Sequence, residues 1–101
     1  MHENQSQEIL DQLTDMGIDV TSKGAGHHVK VYLETRTISY NAAARVMGVS
    51  PSTINRFVTG GSLTEEMAFN LNKHYGFSVN LLFTLEAAYH IHNVEQRLLT
   101  A

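Results

Sequence analysis

The side chains best suited to chemistry lie in a helix-length segment between Pro51 and Gly60. One side of this segment carries Ile54, Phe57 and Val58, which suit a core. The other side is polar and carries Ser52, Asn55, Arg56 and Thr59. Short polar groups and one arginine can form hydrogen bonds along the edges of nucleic-acid bases, and arginine bonds guanine O6 and N7 together. The segment therefore predicts a surface that reads bases, with Arg56 as its strongest candidate.

The charge distribution gives this reading local support. The 101-residue chain has a net charge of −3, which alone argues against binding phosphates. Residues 27–60 nevertheless carry four basic residues against one acidic residue. Residues 1–26 carry five acidic residues and one lysine, and residues 61–101 are also net acidic. The positive third of the chain is the one that holds the polar segment, and this favours an anionic partner there.

Other classes of protein lack support in the sequence. The chain has no cysteine, which excludes disulfides and thiolate chemistry, and no apolar run of about 18 residues that would span a membrane. The start "MHENQSQEIL" is too polar for a secretory signal. We expect one soluble, cytoplasmic domain that does not bind a membrane.

No residue pattern points to catalysis or to a cofactor. The chain has no nucleophile with a spaced His and Asp, no glycine-rich phosphate loop and no paired carboxylates in an apolar setting. His90 and His92 would point about 200° apart on a helix, so they cannot chelate one metal ion. We expect a protein that is not an enzyme and that binds neither a metal nor a cofactor.

Helical periodicity predicts an all-α fold of five to six helices. An extra N-terminal helix over about residues 5–16 has an apolar stripe and an acidic face, and a linker follows it up to residue 26. The alternative for the linker is a small ribbon that pairs residues 18–20 with residues 29–31. We divide the chain into residues 1–26, helix and linker, and residues 27–101, the main domain.

The main domain is divided by capping residues and glycines. A helix over about residues 28–35 comes first, and further helices are predicted after Ser39, Ser50, Thr64 and Ser78. Gly48 and Gly76 are predicted to end the helices that precede them.

The last predicted helix, from Ser78 to about Leu98, is apolar on more than one face. A surface helix of a monomer normally keeps a single apolar stripe. We therefore predict a homodimer interface on this helix, formed by Leu82, Leu85 and Tyr89. The alternative is a central helix that its own domain buries entirely.

Two short helices joined at "MGVS" have the arrangement of a helix-turn-helix. Gly48 tolerates the positive φ that the turn requires, and Val49 supplies an apolar side chain at the corner. Ala44 is small where the two helices would cross. The second helix would then present its polar side to the major groove of DNA.

The run "ISYNAAARVMGVSPSTINRFVTGGSLTEEMAFNLNKHYGFS" resembles the Xre, or lambda-repressor-like, helix-turn-helix proteins. With "VNLLFTLEAAYHIHNVEQ" added, it is similar to the HigA-type antitoxin branch, and the likeness covers about residues 28–97. The segments "TGGSLTEEMAFNL", "YGFS" and "LFTLEAAYHI" carry the likeness to that branch. The resemblance implies a lambda-repressor-like fold.

The resemblance also implies a set of DNA contacts. Four residues would face base edges, with Thr53 and Asn55 nearby: Ser50, Pro51, Ser52 and Arg56. Tyr40 matches a position that commonly contacts phosphate, although packing is an equal alternative, and Thr59 and Gly61 match a loop that often touches the backbone.

The chain departs from the family pattern at three positions. Gly61 stands where lysine is frequent, Phe83 follows "LL" where a Trp-Leu pair is usual, and His90 replaces an aspartate. These departures and the few basic residues predict modest affinity per protomer and dependence on dimer avidity. His27 and His28 would add phosphate contacts only when protonated, and an ordinary surface role is the default for both.

Together these features predict a sequence-specific repressor that binds an inverted repeat in double-stranded DNA as a homodimer. The family adds the role of an autoregulating antitoxin with a cognate toxin as partner. The alternative is a protein-interaction module whose DNA face is vestigial. In that case the last helix or the acidic residues 1–26 would bind the partner.

Overall fold

A computed structural model of the protein describes residues 23–101, which form five α-helices and no strand. The helices are α1 (Ala25–Thr35), α2 (Tyr40–Met47), α3 (Pro51–Val58), α4 (Glu65–Tyr75) and α5 (Val79–Thr100). The predicted all-α fold is confirmed. The predicted helix over residues 5–16 and the linker up to residue 22 lie outside the described residues.

Four helices begin at the predicted capping residues. The side chains of four residues accept a hydrogen bond from the backbone N–H three positions later: Ser39, Ser50, Thr64 and Ser78. Gly48 and Gly76 follow α2 and α4 with φ of 71° and 75°. No atom lies within 4 Å of where their Cβ atoms would be, so the backbone conformation alone explains these glycines.

Helix α1 begins earlier than the glycines of this region predicted. Ala25 and Gly26, assigned to the linker, form its first turn, and Val29 and Val31 are helical, which excludes the ribbon. The reason is packing, because a Cβ on Gly26 would lie 2.0 Å from the carbonyl oxygen of Phe57. This glycine allows α1 to contact the backbone of α3 and does not break the chain.

The core is built around α3. Helix α3 packs on α1 and α2, while α5 packs on α1 and α4. Ala43 and Ala44 of α2 are fully or almost fully buried, and their small size allows a close approach between helices. The largest fully buried side chains are Val29, Leu33, Ile54, Leu71 and Leu82. Within residues 23–101 no helix is both long and apolar enough to cross a membrane.

The turn between α1 and α2 contains a strained residue. Thr37 has a φ of 56°, a conformation that β-branched residues rarely adopt. The turn is closed by hydrogen bonds from Thr37 N–H to the Glu34 carbonyl (3.1 Å) and from Ile38 N–H to the Leu33 carbonyl (2.8 Å). These bonds hold Thr37 in a geometry that costs about 1 kcal/mol or more.

Replacing Thr37 by glycine should raise the free energy of unfolding by about 0.5–1 kcal/mol, because glycine adopts this φ without strain. Urea denaturation measures the change. The matched control is Thr35→Gly in the last turn of α1, where the backbone is helical and glycine should destabilise. Equal destabilisation by both substitutions would contradict strain at Thr37.

Gly26→Ala should lower the free energy of unfolding by about 2–3 kcal/mol, because the added methyl overlaps the Phe57 carbonyl and forces α1 away from α3. Gly76→Ala adds the same methyl in open space at positive φ and should cost only about 1 kcal/mol. Thermal denaturation of both variants compares the two costs. An equal loss of unfolding free energy in the two variants would show that α1 and α3 can move apart at little energetic cost.

Candidate nucleic-acid interface

Helices α2 and α3 are joined by a tight turn. Each has eight residues, and Gly48 between them adopts a left-handed conformation with φ 71° and ψ 29°. The backbone N–H of Val49 donates to the Ala44 carbonyl at 3.0 Å, and the half-buried Val49 side chain packs against the core. This is the predicted corner, and it presents α3 on the surface of the domain.

Helix α3 is held by one side and exposed on the other. Ile54, Phe57 and Val58 are between 1% and 5% exposed. The opposite positions form a single exposed stripe at intervals of three and four residues: Ser52, Asn55, Arg56 and Thr59. The predicted division of this helix into an apolar and a polar side is therefore correct.

The first turn of α3 carries a cluster of hydroxyl groups. Ser50 Oγ accepts from the Thr53 N–H at 3.2 Å and lies 3.0 Å from Ser52 Oγ and 2.8 Å from Thr53 Oγ1. Ser50 thus caps the helix, Thr53 is half-buried, and Pro51 and Ser52 are exposed. Backbone N–H groups at the start of a helix, together with its dipole, favour negatively charged or electron-rich partners.

Arg56 projects from the exposed stripe of α3. Among residues 23–101 no carboxylate lies within ion-pairing distance of it, so none of these residues holds the guanidinium in an ion pair. The loop after α3 folds back on the same turn, with Gly61 N–H donating to the Arg56 carbonyl at 2.8 Å. A Cβ on Gly61 would lie 2.7 Å from that oxygen, which explains the glycine where the family pattern has lysine.

Thr59 lies at the C-terminal end of the same stripe. Its hydroxyl donates to the Asn55 carbonyl at 2.6 Å, which ties the side chain to the last turn of α3.

Tyr40 begins α2, is half-buried and packs against the core, in agreement with the packing alternative. Arg45 is exposed on α2, and the Arg36 guanidinium stacks 3.9 Å from the centre of the Tyr32 ring.

The two adjacent histidines at the start of α1 differ in their surroundings. His28 Nε2 is buried without a hydrogen-bond partner among residues 23–101. Burial lowers the pKa of His28, and the nearby His27 lowers it further. Protonated His28 is thus disfavoured, and the burial of its Nε2 argues against the alternative of a phosphate contact.

The residues predicted to form the dimer interface lie on the side of α5 that faces its own domain. Leu82 and Leu85 are 1% and 5% exposed, and Tyr89 is half-buried. The other side of α5 carries an exposed stripe at intervals of three and four residues. Its members are Phe83, Ala87, Ile91, Val94 and Leu98. The surface available to a second chain is therefore this exposed stripe.

Sequence reasoning missed the role of Glu86. Its carboxylate is buried, with Oε1 accepting from Ala25 N–H at 3.1 Å and Oε2 accepting from Leu63 N–H at 2.8 Å. His90 Nε2 lies 3.5 Å from Oε2. The available signal was an acidic residue on the domain-facing side of α5, between Leu85 and Tyr89.

Within residues 23–101 no three His, Asp or Glu side chains are grouped as a metal site would require.

The comparison with known families agrees with this geometry. A family model described as "Helix-turn-helix" matches residues 29–82, just over half of the chain, from within α1 to the first turn of α5. No curated protein matches the sequence. The match contains the whole α2–turn–α3 unit and the exposed stripe of α3. The chain therefore belongs to the DNA-binding helix-turn-helix family of the Xre, or lambda-repressor-like, type.

Proposed function

We propose that the protein is a sequence-specific transcriptional repressor that binds an inverted repeat in double-stranded DNA as a homodimer. The observation that carries the proposal is the polar stripe of α3, which is exposed along its length while the opposite side is buried. A capped helix with a fixed orientation and an exposed arginine suits insertion into a major groove.

Each part of the stripe has its own role in this proposal. The start of α3, with Pro51 and Ser52, approaches the edges of the first bases, and Ser50 and Thr53 hold this turn in shape. Asn55 lies beside Arg56, which bonds guanine O6 and N7 through its two-pronged guanidinium. Thr59 lies beside the phosphate backbone, where its hydroxyl would exchange its bond to the Asn55 carbonyl for one to a phosphate oxygen. Tyr40 supports the first turn of α2.

The homodimer supplies affinity that one protomer lacks. The second copy would pack the same exposed stripe of α5 against this one, as a twofold interface requires. Helical stripes at intervals of three and four residues pair well with each other. Two copies of α3 would then meet half-sites about one duplex turn apart, which compensates for the few basic residues of each chain.

The resemblance to HigA-type antitoxins extends the proposal to an autoregulating antitoxin that also binds a toxin. Residues 1–26, with five acidic residues and one lysine, have the charge to meet a basic toxin. The repressor function does not depend on this extension.

Arg56→Ala should weaken binding to the preferred duplex by about 1–3 kcal/mol, or about 5- to 150-fold in Kd, and relax the base preference at one position. The duplex is first selected by the wild-type protein from a randomised library, and Kd is measured at two salt concentrations. Arg97→Ala is the control because Arg97 is an exposed arginine near the end of α5. It should change binding less than twofold.

Two outcomes would contradict this assignment. If a folded Arg56→Ala variant kept the wild-type affinity and base preference, Arg56 would not be a residue that reads bases. A folded wild-type protein that selects no duplex at low salt would favour the interaction module with a vestigial DNA face.

Ile91→Glu should convert the dimer into a monomer, because it places a charge at the centre of the exposed α5 stripe. Sedimentation equilibrium measures the mass. Gln96→Glu adds the same charge at an exposed position off the stripe and should leave the dimer intact. A monomeric wild-type protein, or an Ile91→Glu variant that stays dimeric, would contradict the proposed interface.

A further inference from the structure

We propose that Glu86 is a positioning residue for operator recognition. It fixes the loop after α3 and the start of α1 to α5, and so determines the half-site spacing that the dimer accepts. The inference rests on the proposed function, because it requires a dimer formed through α5 that reads DNA with α3. Its evidence is a single buried carboxylate that joins three parts of the chain.

Glu86 first supplies the cap that α1 lacks. The residue at the N-cap position is Gly24, which has no side chain, and the first turn of α1 contains no acidic residue. Glu86 Oε1 accepts the hydrogen bond from Ala25 N–H at 3.1 Å, although the two residues are 61 positions apart. A carboxylate at this end of a helix also interacts favourably with the helix dipole.

The second oxygen of Glu86 fixes the loop that follows α3. Oε2 accepts from Leu63 N–H at 2.8 Å. Two residues earlier, Gly61 N–H is bonded to the carbonyl of Arg56, the proposed base reader. Two hydrogen bonds, joined by the chain from Gly61 to Leu63, therefore connect α5 to the last turn of α3.

Three glycines allow close contacts at this junction. A Cβ on Gly24 would lie 3.0 Å from Glu86 Oε1 and 3.1 Å from Tyr89 Cδ2. Cβ atoms on Gly26 and Gly61 would lie 2.0 Å and 2.7 Å from backbone carbonyl oxygens of α3. The ends of α1 and α3 thus meet in backbone contact beside the carboxylate, and these contacts restrict how α3 can reorient relative to α1.

The exposed stripe of α5 continues directly beyond this junction. Ala87 and Ile91 follow Glu86 on the same helix, and Leu98 lies about 18 Å along it at 1.5 Å per residue. The dimer contacts and the anchor of the DNA-reading loop therefore belong to one continuous helix. A change at Glu86 would alter the angle between α3 and the twofold axis while the exposed stripes of both helices stay intact.

The test compares two substitutions with a control. Glu86→Gln replaces one acceptor oxygen by an NH₂ group, so one of the two backbone N–H groups faces a donor. Glu86→Asp keeps the carboxylate, but its side chain is one methylene too short to reach both N–H groups. If Glu86→Gln does not fold, Glu86→Asp is compared with the wild type in its place. His90→Gln is the control, because it replaces the imidazole that lies 3.5 Å from Oε2 and leaves both backbone hydrogen bonds in place.

The probes are the inverted-repeat duplex selected by the wild-type protein, its isolated half-site, and versions with one base pair added or removed between the half-sites. We expect the Glu86 variants to bind the half-site within about twofold of wild type. Their preference for the native spacing should fall about tenfold, as one lost hydrogen bond to a charged group implies. His90→Gln should keep the wild-type preference.

Two results would overturn the role of Glu86. The first is a folded variant with the wild-type spacing preference. The second is an equal loss of affinity for the half-site and for the inverted repeat. That result would show that Glu86 stabilises the fold in general and does not set the half-site spacing. A folded wild-type dimer that selects no duplex would refute the proposed function itself, and the inference with it.

Discussion

The orientation of α3 depends on the burial of its apolar side. Ile54 and Phe57 are almost fully buried, and the small residues Gly26 and Ala44 allow α1 and α2 to approach closely. Burying side chains of this size contributes about 1.5–3 kcal/mol each. Because one side of a two-turn helix is fixed in this way, its other side has a single possible orientation. Everything proposed about base reading follows from that constraint.

Local sequence signals predicted most of the fold, because capping and turn formation involve residues a few positions apart. Ser50 and Gly48 act on their own helices, so their roles could be read directly from the sequence. Gly26 and Glu86 could not be read in this way, because their partners lie far away along the chain. Gly26 suggested a chain break until its contact with Phe57 was known, and no local pattern around Glu86 indicated its hydrogen bonds to Ala25 and Leu63.

The α5 helix is a second case in which the sequence alone could not predict the structure in full. Its composition predicted two apolar faces, but composition alone could not tell which face belongs to the domain. Leu82 and Leu85 face inward, and the stripe that contains Ile91 and Val94 faces outward. Helix α5 closes the core with one side and presents apolar residues on the other. The same helix therefore serves folding and offers a surface for dimer formation. The proposed repressor would use that surface to combine two weak DNA contacts into one strong contact.

The central claim is that α3 reads the major groove twice, once from each protomer. Methylation interference on the duplex selected by the wild-type protein tests it most directly, because dimethyl sulfate modifies guanine N7 in the major groove and adenine N3 in the minor groove. We expect two symmetric sets of interfering guanines about one duplex turn apart. Interference at adenine N3 alone, or a single unsymmetrical set, would contradict it.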